Sequence, residues 1–94
     1  MMDQAKLVAI AQIAEKIPRE DMAEHRTCAL GRSVDAGILT AELFDYGPIT
    51  SDAAAKQLGI PGCVAQNIFI MCCNHQEPGR ECSRRIMAYV LAMG

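Results

Sequence analysis

The chain has 94 residues, of which 51% are hydrophobic, and its formal net charge at pH 7 is −2. This length gives room for a single domain, residues 1–94, and the charge excludes a uniformly basic, sequence-independent nucleic-acid binder. Alanine and six methionines supply much of the apolar content, alongside two Phe, two Tyr and no Trp. Such a composition favours closely packed helices over a β-sheet, which would be richer in β-branched and aromatic residues.

The charged residues are unevenly distributed along the chain. Residues 1–52 carry five Lys/Arg against nine Asp/Glu, whereas residues 53–94 carry four against two. The two parts therefore have formal charges of −4 and +2. We expect an anionic partner to contact the C-terminal part.

The cysteines and the apolar stretches bear on the cellular location. The five cysteines are an odd number and include the adjacent pair Cys72-Cys73, which does not suit a disulfide framework. Lys6 interrupts the first apolar stretch, so the N-terminus does not resemble a secretory signal. The longest uncharged apolar stretch, residues 86–93, is too short to cross a bilayer. We therefore expect a reducing, cytoplasmic location and no membrane partner.

The N-terminal half is predicted to form three helices. Residues 3–17 carry apolar side chains at the spacing of one helix face, namely Leu7, Ile10, Ala14 and Ile17. Pro18 suits the first turn of a second helix, which we expect to stop at Gly31. Ser33 is a suitable N-cap for a third helix, and the turn-forming residues 46–48 should end it.

The C-terminal half is predicted to form three more helices. A short fourth helix should run from a Thr50 cap to Gly59, with Ile49 as a hydrophobic staple. A fifth helix is predicted over residues 61–74 and a last one over residues 80–93, separated by a loop rich in turn-forming residues. The last helix carries apolar residues along one side, namely Cys82, Ile86, Tyr89, Val90 and Met93.

Residues 49–69 join the fourth helix to the fifth through a tight turn. A helix-turn-helix needs a small residue inside its first helix, where the second crosses closely, and Ala54 or Ala55 could supply it. It also needs a glycine at the turn for a positive φ, which Gly59 provides. Apolar residues one turn apart must seat the second helix against the domain, namely Val64 and Ile68. In these features the segment resembles the helix-turn-helix DNA-binding superfamily.

The resemblance implies that the fifth helix is a recognition helix for duplex DNA. Its outward side chains would include Gln66 and Asn67, which can make paired hydrogen bonds to the major-groove edge of adenine. The phosphate contacts would come from basic side chains of the C-terminal part, namely Lys56, Arg80, Arg84 and Arg85.

Cysteine and histidine side chains are the usual ligands of structural zinc. Four of them are close in sequence, namely Cys72, Cys73, His75 and Cys82. Their spacing is unlike that of a zinc knuckle, and buried cysteines often behave as small apolar residues. His25 and Cys28 could form a base and a nucleophile, but no orienting group or oxyanion site accompanies them. We expect no enzymatic activity, no metal site and no cofactor.

These observations predict an all-α fold, a compact bundle of five or six short helices that contains a helix-turn-helix-like pair. The leading functional hypothesis is a small DNA-binding protein of the transcriptional-regulator type. The alternative is a small helical protein–protein interaction module, an adaptor or inhibitor that does not bind DNA. The small side chains on the helix surfaces are compatible with a homodimer in either case.

Overall fold

A computed structural model describes residues 2–24 and 26–93, and within residues 46–49 it describes the backbone alone. The described residues form helices and no strand, which confirms the predicted all-α bundle. The α-helices are α1 (Gln4–Ala14), α2 (Ala29–Asp35), α3 (Thr50–Leu58), α4 (Gly62–Ala65), α5 (Met71–Asn74) and α6 (Gly79–Met93). Two 3-10 helices, Arg19–Ala23 and Ala41–Ile49, precede α2 and α3, and a π-helical segment, Gln66–Ile70, joins α4 to α5.

Helix α1 begins where the sequence predicts and ends three residues earlier. The Asp3 carboxylate accepts a hydrogen bond from the Lys6 backbone N–H at 3.1 Å and caps the first turn. The helix ends at Ala14, and Pro18 then adopts an extended conformation with ψ of 156°. The apolar face of α1 is buried mainly against α6.

The predicted second helix over residues 18–30 is interrupted. A 3-10 helix ends at Ala23, Glu24 is extended, and α2 begins only at Ala29. The Thr27 hydroxyl donates to the Asp21 carbonyl at 2.7 Å, and Arg32 pairs with the Asp21 carboxylate at 2.8 Å. These side-chain contacts replace the backbone hydrogen bonds of a continuous helix.

The predicted N-cap at Ser33 is wrong, because Ser33 lies inside α2. Its buried hydroxyl donates a hydrogen bond to the Ala29 carbonyl one turn earlier, at 2.6 Å. The hydroxyl therefore has a hydrogen-bond partner without capping a helix. Gly31, predicted to end a helix, is buried within the same α2. The left-handed turn occurs instead at Gly37, whose φ is +78°.

The predicted third helix is also replaced, by the 3-10 helix Ala41–Ile49. The Gln57 side chain on α3 accepts from the Thr40 N–H at 2.9 Å and donates to the Thr40 hydroxyl at 3.0 Å. This pair of bonds fixes the start of the 3-10 helix against α3. The staple predicted for Ile49 lies outside the described side chains.

Helix α6 begins at Gly79, in close contact with the end of α1. The Gly79 N–H donates to the Ile17 carbonyl at 3.0 Å. A Cβ added to Gly79 would lie only 1.9 Å from the Ala14 carbonyl oxygen, so a side chain has no room there. Of the predicted apolar side, Cys82, Ile86 and Val90 are buried, Tyr89 is half-buried and Met93 is exposed. Across the described residues, no helix is both long and apolar enough to span a bilayer.

Candidate nucleic-acid interface and the adjoining groove

The turn between α3 and α4 contains a glycine in the left-handed conformation. Helix α3 ends at Leu58, and Gly59 adopts a left-handed conformation with φ of +68°. The Ile60 N–H then donates to the Ala55 carbonyl at 3.1 Å, which closes the C-terminal cap of α3. Pro61 is extended and starts the next helical run, which covers residues 62–74.

The contact between the two helices is made of small and apolar side chains. Both candidate alanines on α3 are buried, as are the turn residue Ile60 and two side chains of the second helical run, Ala65 and Ile68. Val64, predicted to seat the second helix, is half-buried and packs against the core, and the neighbouring Ala65 is fully buried.

The second helical run contains a one-turn π-helical segment. Its last hydrogen bond runs from the Met71 N–H to the Gln66 carbonyl, five residues earlier. Gln66 and Asn67 at the start of the segment are exposed, whereas Ile68 and Phe69 are buried. The predicted reading side chains are therefore at the surface, opposite those that pack into the core.

Negative charge lies close to the start of α4. A Cβ added to Gly62 would lie 2.6 Å from the Asp52 Oδ1 atom, so glycine at this position lets the α3 carboxylate approach. A carboxylate near the first turn of a helix interacts favourably with the helix dipole. This role for Gly62 could not be inferred from the sequence, because it depends on a contact between two helices.

Three of the six predicted DNA-binding residues line one groove, and three do not. The groove has a volume of about 380 Å³ and separates the second helical run from α6. Asn67, Arg84 and Arg85 are part of its lining. Gln66, Lys56 and Arg80 are exposed on their helices but are not part of that lining.

Arg85 joins α6 to the π-helical segment. Its Nη1 atom donates to the Asn67 backbone carbonyl at 2.9 Å. Its Nη2 atom lies 3.2 Å from the Glu77 Oε2 atom, and its Nε atom lies 3.6 Å from the Glu81 Oε1 atom. With three partners and a side chain that is only 23% exposed, Arg85 is held in one orientation.

Arg84 has one partner and greater freedom. Its guanidinium pairs with the Glu81 carboxylate one turn earlier, and its Nε donates to both carboxylate oxygens at 3.0 Å. This hydrogen bonding holds the pKa of Glu81 below its usual value and raises the pKa of Arg84. Because the Arg84 side chain is largely exposed, the pair contributes little to stability and can exchange for another anion.

The rest of the groove lining was not anticipated from the sequence. It consists of Cys63, Val64, Ile68, Ala88 and Tyr89. Ala88 and Tyr89 follow Arg84 and Arg85 by one helical turn, so all four share one side of α6. That spacing can be read from the sequence and predicts one wall of the groove. The opposing wall cannot be predicted in this way, because it comes from a helix some twenty residues earlier in the chain.

Four of the five cysteines are buried, and one is at the surface. Burial raises the pKa of Cys28, and contact with the Cys72 thiol together with burial raises the pKa of Cys82. Thiols of this kind react slowly. Cys63, by contrast, is exposed and lines the groove.

Within residues 2–24 and 26–93, no three His, Cys, Asp or Glu side chains form a group that could hold a metal ion. His25, considered above as a base for Cys28, lies outside the described residues.

Comparison with known proteins gives no match: no family model fits the chain, and neither a curated protein nor a solved structure is significantly similar to it.

Proposed function

We propose that this protein binds duplex DNA through a helix-turn-helix formed by α3 and the helical run of residues 62–74. The observation that carries the proposal is the left-handed turn at Gly59 between two helices that pack against each other, with Ala54, Ala55 and Ala65 buried. This arrangement leaves Gln66 and Asn67 exposed on the second helix. Their amides can read adenine in the major groove.

The basic side chains around the second helix divide into two roles. Arg84 is exposed, lies beside Asn67 in the groove lining, and exchanges its carboxylate partner for a DNA phosphate. Lys56 and Arg80 are exposed and add further phosphate contacts. Arg85 acts indirectly, because its hydrogen bond to the Asn67 carbonyl holds the second helical run at a fixed distance from α6.

The proposal is tested by fluorescence anisotropy with a random duplex DNA pool at low and moderate salt. We expect binding that weakens steeply as the salt concentration rises, because phosphate contacts release counterions. A double variant, Gln66→Ala with Asn67→Ala, should retain weak binding but lose preference for any sequence selected from the pool. Gln12→Ala removes an exposed amide from α1 and is the matched control. Absence of binding by the wild-type protein at low salt contradicts the proposal.

The C-terminal end of α6 favours a protein contact as a second candidate function. Leu91 is 77% exposed and Met93 is 64% exposed, which places two large apolar side chains at the surface of one helix end. In a DNA-binding protein these residues would join two copies into a dimer. In an adaptor or inhibitor they would contact another protein.

Sedimentation at several protein concentrations separates these cases. A dimer that dissociates when Leu91→Glu and Met93→Glu are introduced together supports a contact between two copies. A monomer that also fails to bind DNA favours the interaction module. The double variant Ala5→Glu with Gln12→Glu adds the same charge to exposed positions of α1 and is the control for charge alone.

A further inference from the structure

We propose that the groove between the second helical run and α6 binds a small carboxylic acid with an apolar body. The groove shares Asn67 and Arg84 with the proposed DNA-binding surface, but its ligand and the experiments that test it do not involve DNA. The inference rests on the size of the groove, the chemistry of its lining and the way its two walls are joined.

The groove has the size and the wall chemistry of a small-molecule site. Its volume of about 380 Å³ falls within the range of ligand pockets, roughly 300–1,000 Å³. Val64, Ile68 and Ala88 supply apolar walls, and Tyr89 adds an aromatic ring. An apolar body of a few carbon atoms up to one ring can be removed from water on these walls.

The polar part of the lining selects an anion. Arg84 and Arg85 carry only hydrogen-bond donors, and the described residues that line the groove include no Asp or Glu. Arg85 already has three partners, so Arg84 is the side chain that can turn toward a ligand. Because Arg84 is paired with Glu81, an anionic head group must take the place of Glu81 on the guanidinium.

The existing partner of Arg84 indicates that this head group is a carboxylate. Glu81 presents its carboxylate to the Nε and Nη2 atoms of Arg84, which is the two-atom arrangement that guanidinium and carboxylate groups prefer. A ligand carboxylate in the groove can take the place of Glu81 with the same geometry. The exchange costs little, because the Arg84 side chain is exposed and its present pair is weak.

The walls of the groove are joined before any ligand binds. Asn67 and Ile68 belong to the π-helical segment, and the Asn67 carbonyl accepts its hydrogen bond from Arg85 on the opposite wall. One-turn π-helical segments within α-helices are frequent at functional sites. A groove held open in this way binds a ligand without first ordering its own walls.

The exposed Cys63 thiol in the lining provides a reporter for the experiment. Because the other four cysteines are buried, an aromatic disulfide reagent reacts first with Cys63 in the folded protein. Octanoate, below the concentration at which it forms micelles, should slow this first reaction several-fold. Acetate, octylamine and 1-octanol should have little effect, because acetate has no apolar body and the other two have no negative charge.

Two variants and an independent measurement complete the test. Arg84→Gln should abolish the protection by octanoate while leaving the far-ultraviolet circular dichroism unchanged. The control Lys16→Gln removes an exposed cation outside the lining and should retain the protection. Titration calorimetry should detect octanoate binding to wild type and not to Arg84→Gln. Equal protection by 1-octanol and octanoate, or no octanoate binding by either method, overturns the proposal. Neither measurement involves DNA, so a negative result would contradict the carboxylate-binding proposal without bearing on the DNA-binding proposal.

Discussion

Arg85 on α6 donates a hydrogen bond to the backbone carbonyl of Asn67, eighteen residues earlier, at 2.9 Å. The bond connects the last helix to the segment that carries the proposed DNA-reading amide. Because Arg85 is also paired with Glu77 and Glu81, its side chain connects the loop, the start of α6 and the π-helical segment. The position of the proposed recognition surface therefore depends on a residue that need not contact DNA.

Replacing Arg85 should destabilise the fold more than replacing its neighbour Arg84. In Arg85→Ala the Glu77 carboxylate loses its ion pair with the guanidinium. The Arg85 Nη2 atom donates to Oε1 at 3.4 Å and lies 3.2 Å from Oε2, which solvent does not reach and which accepts no hydrogen bond from the described residues. Leaving such a group unpaired costs about 1–3 kcal/mol of unfolding free energy. Arg84→Ala removes only an exposed pair and should leave the urea midpoint close to that of wild type. Equal midpoints for the two variants would show that the Arg85 contacts do not stabilise the fold.

A methyl group at position 79 should be strongly destabilising. The Cβ of Gly79→Ala would lie 1.9 Å from the Ala14 carbonyl oxygen and 2.8 Å from the Ile17 Cβ, so α6 must move away from α1. Overpacking of this kind costs about 1–3 kcal/mol or more, a large fraction of the stability of a small domain. Arg80→Ala introduces the same residue at the adjacent exposed position and is the control for urea unfolding. If both variants unfold at the wild-type midpoint, α1 and α6 do not approach as closely as described.

The helices that were predicted well have their end signals in nearby residues. The Asp3 side chain caps α1 within one turn, and the left-handed Gly59 ends α3 beside Pro61. These signals act within about four residues, so the sequence displays them directly. The exposure of Gln66 likewise follows from helical periodicity.

The region over residues 18–49 was predicted poorly because its structure depends on longer-range contacts. Arg32 reaches back eleven residues to Asp21 and stabilises the break between the 3-10 helix and α2. Ser33 is of a residue type that often forms an N-cap, but its hydroxyl instead donates a hydrogen bond to the Ala29 carbonyl inside the helix. The groove could not be predicted for the same reason, since nothing in the sequence indicates that Arg85 and Asn67 are neighbours.

Acid should weaken the fold partly through Glu81. Its hydrogen bonds with Arg84, and its pairing with Arg85, lower the pKa of this carboxyl in the folded state. A lowered folded-state pKa contributes stability that is present above the unfolded-state pKa, about 4.3, and that is lost as the pH falls through the folded-state value. Because the pair with Arg84 is exposed and weak, the effect is small: the urea midpoint should fall slightly less between pH 7 and pH 3 in Glu81→Gln than in wild type. Glu15→Gln, an exposed carboxylate at the end of α1, is the matched control; an unchanged pH dependence in Glu81→Gln would contradict this assignment.

Removing the negative charge of Asp52 should strengthen DNA binding. This carboxylate lies close to Gly62 at the start of the second helical run. In the proposed helix-turn-helix, this is the end of the recognition helix that approaches the DNA. Its interaction with the helix dipole is worth about 0.3–1 kcal/mol, so Asp52→Asn should unfold at a slightly lower urea concentration. In the complex, however, the same charge repels the phosphates, and its removal should raise the affinity most at low salt, where screening is weakest.

The control for this change is Asp35→Asn, which removes an exposed carboxylate from α2. It alters the net charge by the same amount as Asp52→Asn, and so tests whether the position of the lost charge affects DNA affinity. A larger gain in anisotropy-measured affinity for Asp52→Asn than for Asp35→Asn indicates that the start of α4 faces the DNA. Equal gains would reflect net charge alone, and an unchanged affinity in Asp52→Asn would exclude this end of the helix from the interface. The comparison thus tests the orientation of the proposed recognition helix without altering Gln66, Asn67 or any basic side chain.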